Sequence, residues 1–397
     1  MKVRVSVSSM YPELVNMKKL DTVNLIYLEG YVRSLTLHQL RTTSINDKLR
    51  RVYAFLIFFE FRDLMKATPN DIEDFLISRK TKPTKRGRPC SHATIQGDML
   101  GIKLFFRYLR PDDEVKLFEN IKIKRLKNRL PVERLLSRSD IEKLVNACDT
   151  QRDRALVMLL WDSGCRINEI LSRNVGNIEF DRYGAVMVVD GKTGQRRLRL
   201  TACVGDLQTW INTHPMKENP EAPLFITYNR YGFGRKRVHE HTVANRLKVL
   251  AELAKITKPV HPHALRHARL TDLAKQGFSE MELRIIAGWE ATSGMPAVYV
   301  HMSGADVERK VLQKAGLCEE EEFKEMSLEA IRCPRCQTIN AYDSMFCKTC
   351  SQTMTDHAAR QINTMHQTVI NNLDAITSWA ENEKAKIAAD ASLAKPS

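Results

Sequence analysis

Residues 260–271 read VHPHALRHARLT, and the interpretation of these twelve residues governs that of the whole chain. Pro262 suits the first turn of a helix, where the missing N–H costs nothing. A helix that starts there puts His263 and Arg266, three positions apart, on one face. Both side chains then stand beside the outward-pointing N–H groups of a helix N-terminus, which attract negative charge. The pattern is that of an anion site. His267, the next residue, points about 100° away from Arg266 and reads as structural.

The rest of the chain fits an anionic partner. It has 397 residues and a net charge of +15, which suggests a polyanion, most simply DNA or RNA. Arg79, Lys80, Lys82, Lys85, Arg86 and Arg88 form one run without acids, and Lys122, Lys124, Arg125, Lys127 and Arg129 form a second. Glu319 to Glu322 make the opposing acidic block. The longest apolar runs, AFLIFF at 54–59 and ALVMLLW at 155–161, are far short of the ~20 residues of a membrane span. The N-terminus lacks an apolar secretory core. The expectation is a cytoplasmic, nucleoid-associated protein whose thiols stay reduced.

Hydrophobic spacing divides the chain. Apolar residues recur with helical period over 24–37 and 45–61; Pro69-Asn70-Asp71 opens a third helix, and Ser91 caps a fourth over 92–109. The predicted helical domain spans 17–115. A basic linker follows over 116–135, placed to track a phosphate backbone. Ser139-Asp140-Ile141-Glu142 has the form of a capping box and opens a second domain, 136–317, with a helix at 153–161. Then the period changes to that of strands: IEFD at 178–181, AVMVVD at 185–190, a Gly191-Lys192-Thr193-Gly194 turn, and QRRLRL at 195–200. Helices resume near 205–213, 240–254, 263–276, 280–288 and 296–302. The predicted class is mainly α with a small antiparallel β-sheet.

Four further residues matter in combination. Arg166 in SGCRINEI, Lys192 at the hairpin tip, Trp289 after Gly288, and Tyr299 between Val298 and Val300 are each unremarkable alone, and a tyrosine in that setting is usually a packed ring. Their order, Arg166, Lys192, His263-x-x-Arg266, Trp289, Tyr299, resembles the tyrosine recombinase (phage integrase) family. The resemblance covers about 134–317 in motif, and 17–115 in helix pattern, where that family carries a DNA-clamping, core-binding domain. Many members have histidine where this chain has Trp289. Glu169 matches an acidic position whose implied job is to orient Arg166.

What the resemblance implies is site-specific recombination of double-stranded DNA without metal or ATP. Tyr299 would attack a backbone phosphate and keep the bond energy as a 3′-phosphotyrosine. Arg166 and Arg266 suit the clamp, since each guanidinium grips phosphate oxygens bidentately and stays charged. Lys192 suits the protonation of the leaving oxygen, His263 either accepts the tyrosine proton or holds the phosphate, and Trp289 forms a wall. Family members work as tetramers on two DNA sites. The alternative is an inactive or topoisomerase-like DNA-binding relative of the same fold.

Cys333, Cys336, Cys347 and Cys350 give C-x2-C-x10-C-x2-C, a pattern suited to a tetrahedral, structural Zn2+ in a zinc ribbon over 331–353. The appended ribbon points towards an archaeal mobile-element integrase. A helix at 356–386 carries Ile362, Met365, Val369, Leu373, Ile376 and Trp379 or Ala380 in one stripe, suited to packing on its own chain or on a partner.

Overall fold

The computed structural model describes residues 22–83, 87–122, 134–191, 194–229, 232–299, 311–312, 315 and 328–393. Lys192, most of the basic linker and the acidic block lie outside them. The chain divides into two compact bodies, 1–128 and 129–397.

The first body is helical: α1 Thr22–Leu37, α2 Thr42–Phe58, α3 Pro69–Thr81, α4 His92–Leu109 and α5 Glu114–Leu117. Its core is aromatic, with Phe55, Phe75, Phe105 and Phe106 fully buried and Phe55 stacked on Phe59 at 5.3 Å. Thr68 and Asp71 form a capping box around Pro69, and Ser91 accepts the Thr94 N–H at 3.2 Å. Those side chains satisfy helix N–H groups that would otherwise lack partners. Buried Asn24 donates to the Phe61 and Arg62 carbonyls and accepts from Leu64 N–H. Leu117 and Phe118 belong to the same core and Ile121 packs against it, so the packing runs past residue 115.

The second body is mostly helical around a small sheet. Its elements begin with α6 Arg138–Asn146, α7 Gln151–Ser163, α8 Ile167–Leu171, β1 Ile178–Asp181, β2 Gly184–Gly191 and β3 Gly194–Leu200. Next come α9 Val204–Thr213, the hairpin β4 Ile226–Asn229 and β5 Gly232–Arg237, then α10 Glu240–Leu253. The domain closes with α11 Pro262–Lys275, α12 Glu280–Ala287 and α13 Pro296–Tyr299. Strands β1, β2 and β3 pair antiparallel in sequence order. Helix α7 is the hub: every residue from Ala155 to Ser163 is buried. It therefore reads as an all-round apolar helix rather than an amphipathic one.

One expectation changes and one element was not expected. The capping box is Ser137 with Asp140, which exchange backbone and side-chain hydrogen bonds ahead of Arg138; Ser139 lies inside the first turn. The β4–β5 hairpin escapes the period-two pattern because its register shifts between Ile226 and Tyr228, which breaks the alternation that marks a strand.

The cysteine module, with β6 Ile331–Arg332 and β7 Ile339–Asn340, docks on α9. Ile339 and Tyr342 pack against the main core. Asp343 pairs with Arg154 at 2.5 Å, and Lys348 Nζ donates to Gln208 Oε1 at 2.8 Å. Backbone meets backbone at Gly205, where a Cβ would lie 2.2 Å from the Ala341 nitrogen. Helix α14, Asp356–Leu393, follows; Met365, Val369, Leu373, Ile376 and Trp379 are exposed along it.

Candidate active site

Arg266 sits in the first half of α11 and is only 4% exposed. Its Nη1 donates to the Gly164 carbonyl at 2.9 Å and its Nη2 to the Ala287 carbonyl at 2.8 Å. Those carbonyls end α7 and α12, whose C-caps are the left-handed glycines Gly164 (φ 57°) and Gly288 (φ 61°). One guanidinium thus satisfies two helix ends that would otherwise lack partners. Burial first, then the charge of Arg166, holds its pKa down to about 10, so it stays cationic at neutral pH.

Arg166 precedes α8 and converges on the same turn. Its Nη1 and Nη2 reach the Gly288 carbonyl at 3.3 and 3.4 Å, and Nη1 also donates to Glu169 Oε1 at 2.9 Å. Its side chain is 34% exposed, which leaves the guanidinium open to a ligand. The expected orienting role of Glu169 matches this geometry. Glu169 is buried and also receives Arg196 Nη2 at 2.7 Å. Burial pushes its pKa up, but hydrogen bonds from Arg196 and from the Arg166 N–H outweigh that and hold it at about 2. Three guanidinium groups against one carboxylate leave the pocket positive, as an anion site requires.

The sequence reading missed Arg196. It donates Nε to the Ile286 carbonyl at 3.1 Å and so ties β3 to α12. A signal was present: Arg196 shares a strand face with Leu198 and Leu200, both buried, and a charge on an inward face needs a partner.

Tyr299, 6% exposed, ends α13 with its ring between two others. Trp289 stacks on it at 5.2 Å and His267 at 5.3 Å. The Arg266 guanidinium lies 5.7 Å from the Trp289 ring centre. The phenol hydroxyl is hydrogen-bonded to His267 Nδ1. Burial pushes the Tyr299 pKa up to about 12, against the opposing charges of Arg266 and Arg166. Burial, then the charges of His263, Arg266 and His261, pushes His267 down to about 4. His263 lies one turn before His267, with ring centres 6.3 Å apart, and its pKa is lowered chiefly by burial and then by Arg266.

The structure therefore gathers Arg166, His263, Arg266, Trp289 and Tyr299, while Lys192 is outside the described residues. The structure adds a contact that the sequence did not suggest: the tyrosine hydroxyl is hydrogen-bonded to His267. The turn of His267 away from Arg266 is what presents it to Tyr299, which approaches from α13.

At the cysteine module, the four sulfurs of Cys333, Cys336, Cys347 and Cys350 lie within 4.8 Å of one another. Cys333–Cys350 and Cys336–Cys347 are each 3.5 Å apart. A tetrahedron with ~2.3 Å metal–sulfur bonds puts its sulfurs about 3.8 Å apart, whereas a disulfide needs ~2.05 Å. Thr349 N–H and Asn340 Nδ2 point at Cys347 Sγ at 3.5 and 3.7 Å, as donors around a metal-bound thiolate do. The donor set fits a four-coordinate thiophilic ion.

Residues 134–305 match the phage integrase family. The match takes in the whole stretch from Arg166 to Tyr299. The chain is 30% identical over 162 residues to tyrosine recombinase XerD of Bifidobacterium longum, covering 38% of this chain and 50% of that protein. It is 28% identical over 236 residues to a tyrosine recombinase of Thermosipho africanus, covering 59% of this chain and 80% of the relative. The chain thus spans half the length of the first and most of the second. Among solved structures, XerH bound to a palindromic difH substrate superposes with a TM-score of 0.55 at 18% identity, over 79% of this chain and 91% of that one. A lambda integrase dimer bound to a COC' core site gives 0.54 at 14% identity, over 74% and 84%. These likenesses support the fold: mainly helical, with small antiparallel sheets.

Proposed function

We propose that this protein is a site-specific tyrosine recombinase that cuts and rejoins double-stranded DNA. In each cleavage Tyr299 Oη gives up its proton to a histidine of α11 and forms a bond to a backbone phosphorus as the P–O5′ bond breaks. The 5′ oxygen takes a proton, for which Lys192 is the candidate donor. The DNA 3′ end is left as a phosphotyrosine, and the reverse step religates it. Arg166 and Arg266 neutralise the oxygens of the pentacoordinate phosphorus, His263 supports the phosphate, and Trp289 walls the site.

One observation carries the reading: a phenol stacked on the Trp289 ring that the Arg266 guanidinium also faces, within electrostatic reach of both Arg266 and Arg166 of its own chain. It supports attack in cis, with nucleophile and clamp from one protomer. The partners are duplex DNA and further copies, as a tetramer on two sites, and the setting is the cytoplasm, at the nucleoid.

A duplex nicked beside the scissile phosphate tests this, because the short fragment diffuses away and traps the intermediate. The expected result is a covalent protein–DNA adduct mapping to the Tyr299 peptide, absent in Tyr299→Phe. No adduct on DNA selected by the protein's own binding would point to an inactive binder, and relaxation of any supercoiled plasmid to a topoisomerase.

The four cysteines are proposed to hold one structural Zn2+. Metal binding to such modules is worth about 10–16 kcal/mol, so the free ligands would not hold the ribbon folded. A chelator should release one zinc per chain. It should also speed hydrogen exchange in α9, which the docked ribbon covers. Zinc release with α9 unchanged would contradict this docking.

A further inference from the structure

The chemistry above gives no positioning task to the contact between Tyr299 and His267. His267 follows Arg266 on α11, four positions after His263. The phenol is confined by two rings, Trp289 at 5.2 Å and His267 at 5.3 Å, both within 26° of parallel. A ring held this way has one torsion left that matters, rotation of its hydroxyl. The hydrogen bond to His267 Nδ1 settles that torsion.

The donor and acceptor roles follow from the surroundings. His267 is half-buried, with His263, His261 and Arg266 as its charged or titratable neighbours. All of them disfavour a second proton on the imidazole. A neutral imidazole donates from one nitrogen and accepts on the other. The phenol carries its proton at neutral pH, so it donates, Nδ1 accepts, and the remaining imidazole proton sits on Nε2. With the hydroxyl hydrogen directed to Nδ1, the oxygen's lone pairs stay free of His267.

We propose that His267 is the positioning residue of the nucleophile: by accepting the Tyr299 hydroxyl hydrogen on Nδ1, it fixes the orientation of Oη with a lone pair free for phosphorus. The inference rests on the reading of Tyr299 as the nucleophile. It gives His267 no contact with the phosphate; the phenol proton it already holds passes along the hydrogen bond to Nδ1 as Oη bonds phosphorus. Placement alone is worth a large factor, since a misplacement of about 1 Å costs about 100-fold in rate.

Two variants separate the acceptor from the stacked ring. His267→Phe keeps a ring against the phenol and removes the acceptor. His267→Gln removes the ring and supplies a carbonyl acceptor of similar reach. Single-turnover adduct formation on nicked duplex at saturating DNA should be about 10- to 100-fold slower in His267→Phe. His267→Gln, which keeps the hydrogen-bond acceptor but is a weaker base, should recover part of that loss, with the affinity for DNA unchanged in both. A His267→Phe variant as fast as the unaltered chain overturns the proposal. So does a His267→Gln variant no faster than His267→Phe when both melt at the same temperature. Imidazole 15N NMR of the DNA-free protein reads the contact without any activity. His267 should appear as the Nε2–H tautomer, with its Nδ1 resonance shifted in Tyr299→Phe; an unchanged Nδ1 overturns the contact itself. An unaltered chain that forms no adduct, with the NMR coupling intact, removes the recombinase reading and the positioning role with it, and leaves a structural hydrogen bond.

Discussion

Arg266→Lys should slow covalent adduct formation on nicked DNA about 100- to 1,000-fold, the scale seen when one preorganised donor to a developing oxyanion is lost. The same change should also destabilise the second body. Arg266 donates in two directions, to Gly164 and Ala287, and is almost wholly buried. A lysine ammonium is a compact charge without the planar fork. It leaves at least one buried carbonyl unpaired, at a cost of about 1–3 kcal/mol. Arg166→Lys provides the contrast. Arg166 is a third exposed, so water replaces its lost bonds, and its variant should melt close to the unaltered protein while being slow to a similar degree. Rapid-quench adduct assays beside thermal melts measure both quantities. A fast Arg266→Lys enzyme would remove the clamp; a slow one whose Arg166→Lys counterpart is fast would confine the clamp to one guanidinium.

What the sequence disclosed and what it hid differ in physical kind. The His263–Arg266 pair was legible because helical spacing is local: Pro262 marks the start and three residues return to the same face. Strands β1 to β3 were legible because alternation and a Gly-x-x-Gly turn need only neighbours. The start of α6 was ambiguous because Ser137 and Ser139 each have an acid three residues on, at Asp140 and Glu142, and propensity cannot rank two overlapping caps. The partnership of His267 with Tyr299 was hidden because it depends on where α13 lands, 32 residues later in the chain. Burial of Tyr299, the ordinary fate of such a residue, did occur. What distinguishes this ring is its company of Arg266, Trp289 and His267, which belongs to packing and not to any local pattern. Arg196 was partly legible, as a charge on an inward strand face, although its partner Glu169 was noted for Arg166 alone.

Glu169→Gln should cost about 3–5 kcal/mol of stability, the range for removing one member of a buried ion pair. The Arg196 side chain is 9% exposed and that of Glu169 is 5%. Without the carboxylate charge, Arg196 would be buried against neutral acceptors only: the amide oxygen in its place, the Ile286 carbonyl and the Cys165 sulfur. The pH dependence gives the sharper test. Glu169 titrates at about 2 in the folded protein against an ordinary 4.5. The folded state therefore binds fewer protons than the unfolded state between those values. Its contribution is fully present above pH 4.5 and is lost as the pH falls through 4.5 towards 2. A shift of that size corresponds to on the order of 3 kcal/mol, in line with the ion-pair range. Other carboxylates that the fold holds below their ordinary pKa, such as Asp47 and Asp140, also lose their contribution in acid, so the unaltered protein alone cannot report on Glu169. The difference between it and Glu169→Gln can, because those other groups cancel. Urea titrations from pH 7 to pH 2 should show a stability gap that is constant down to about pH 4.5 and then closes. A gap that stays constant into the acid range would mean the carboxylate is not held by Arg196 and Arg166. The orientation of Arg166 towards the Gly288 turn would then need another cause.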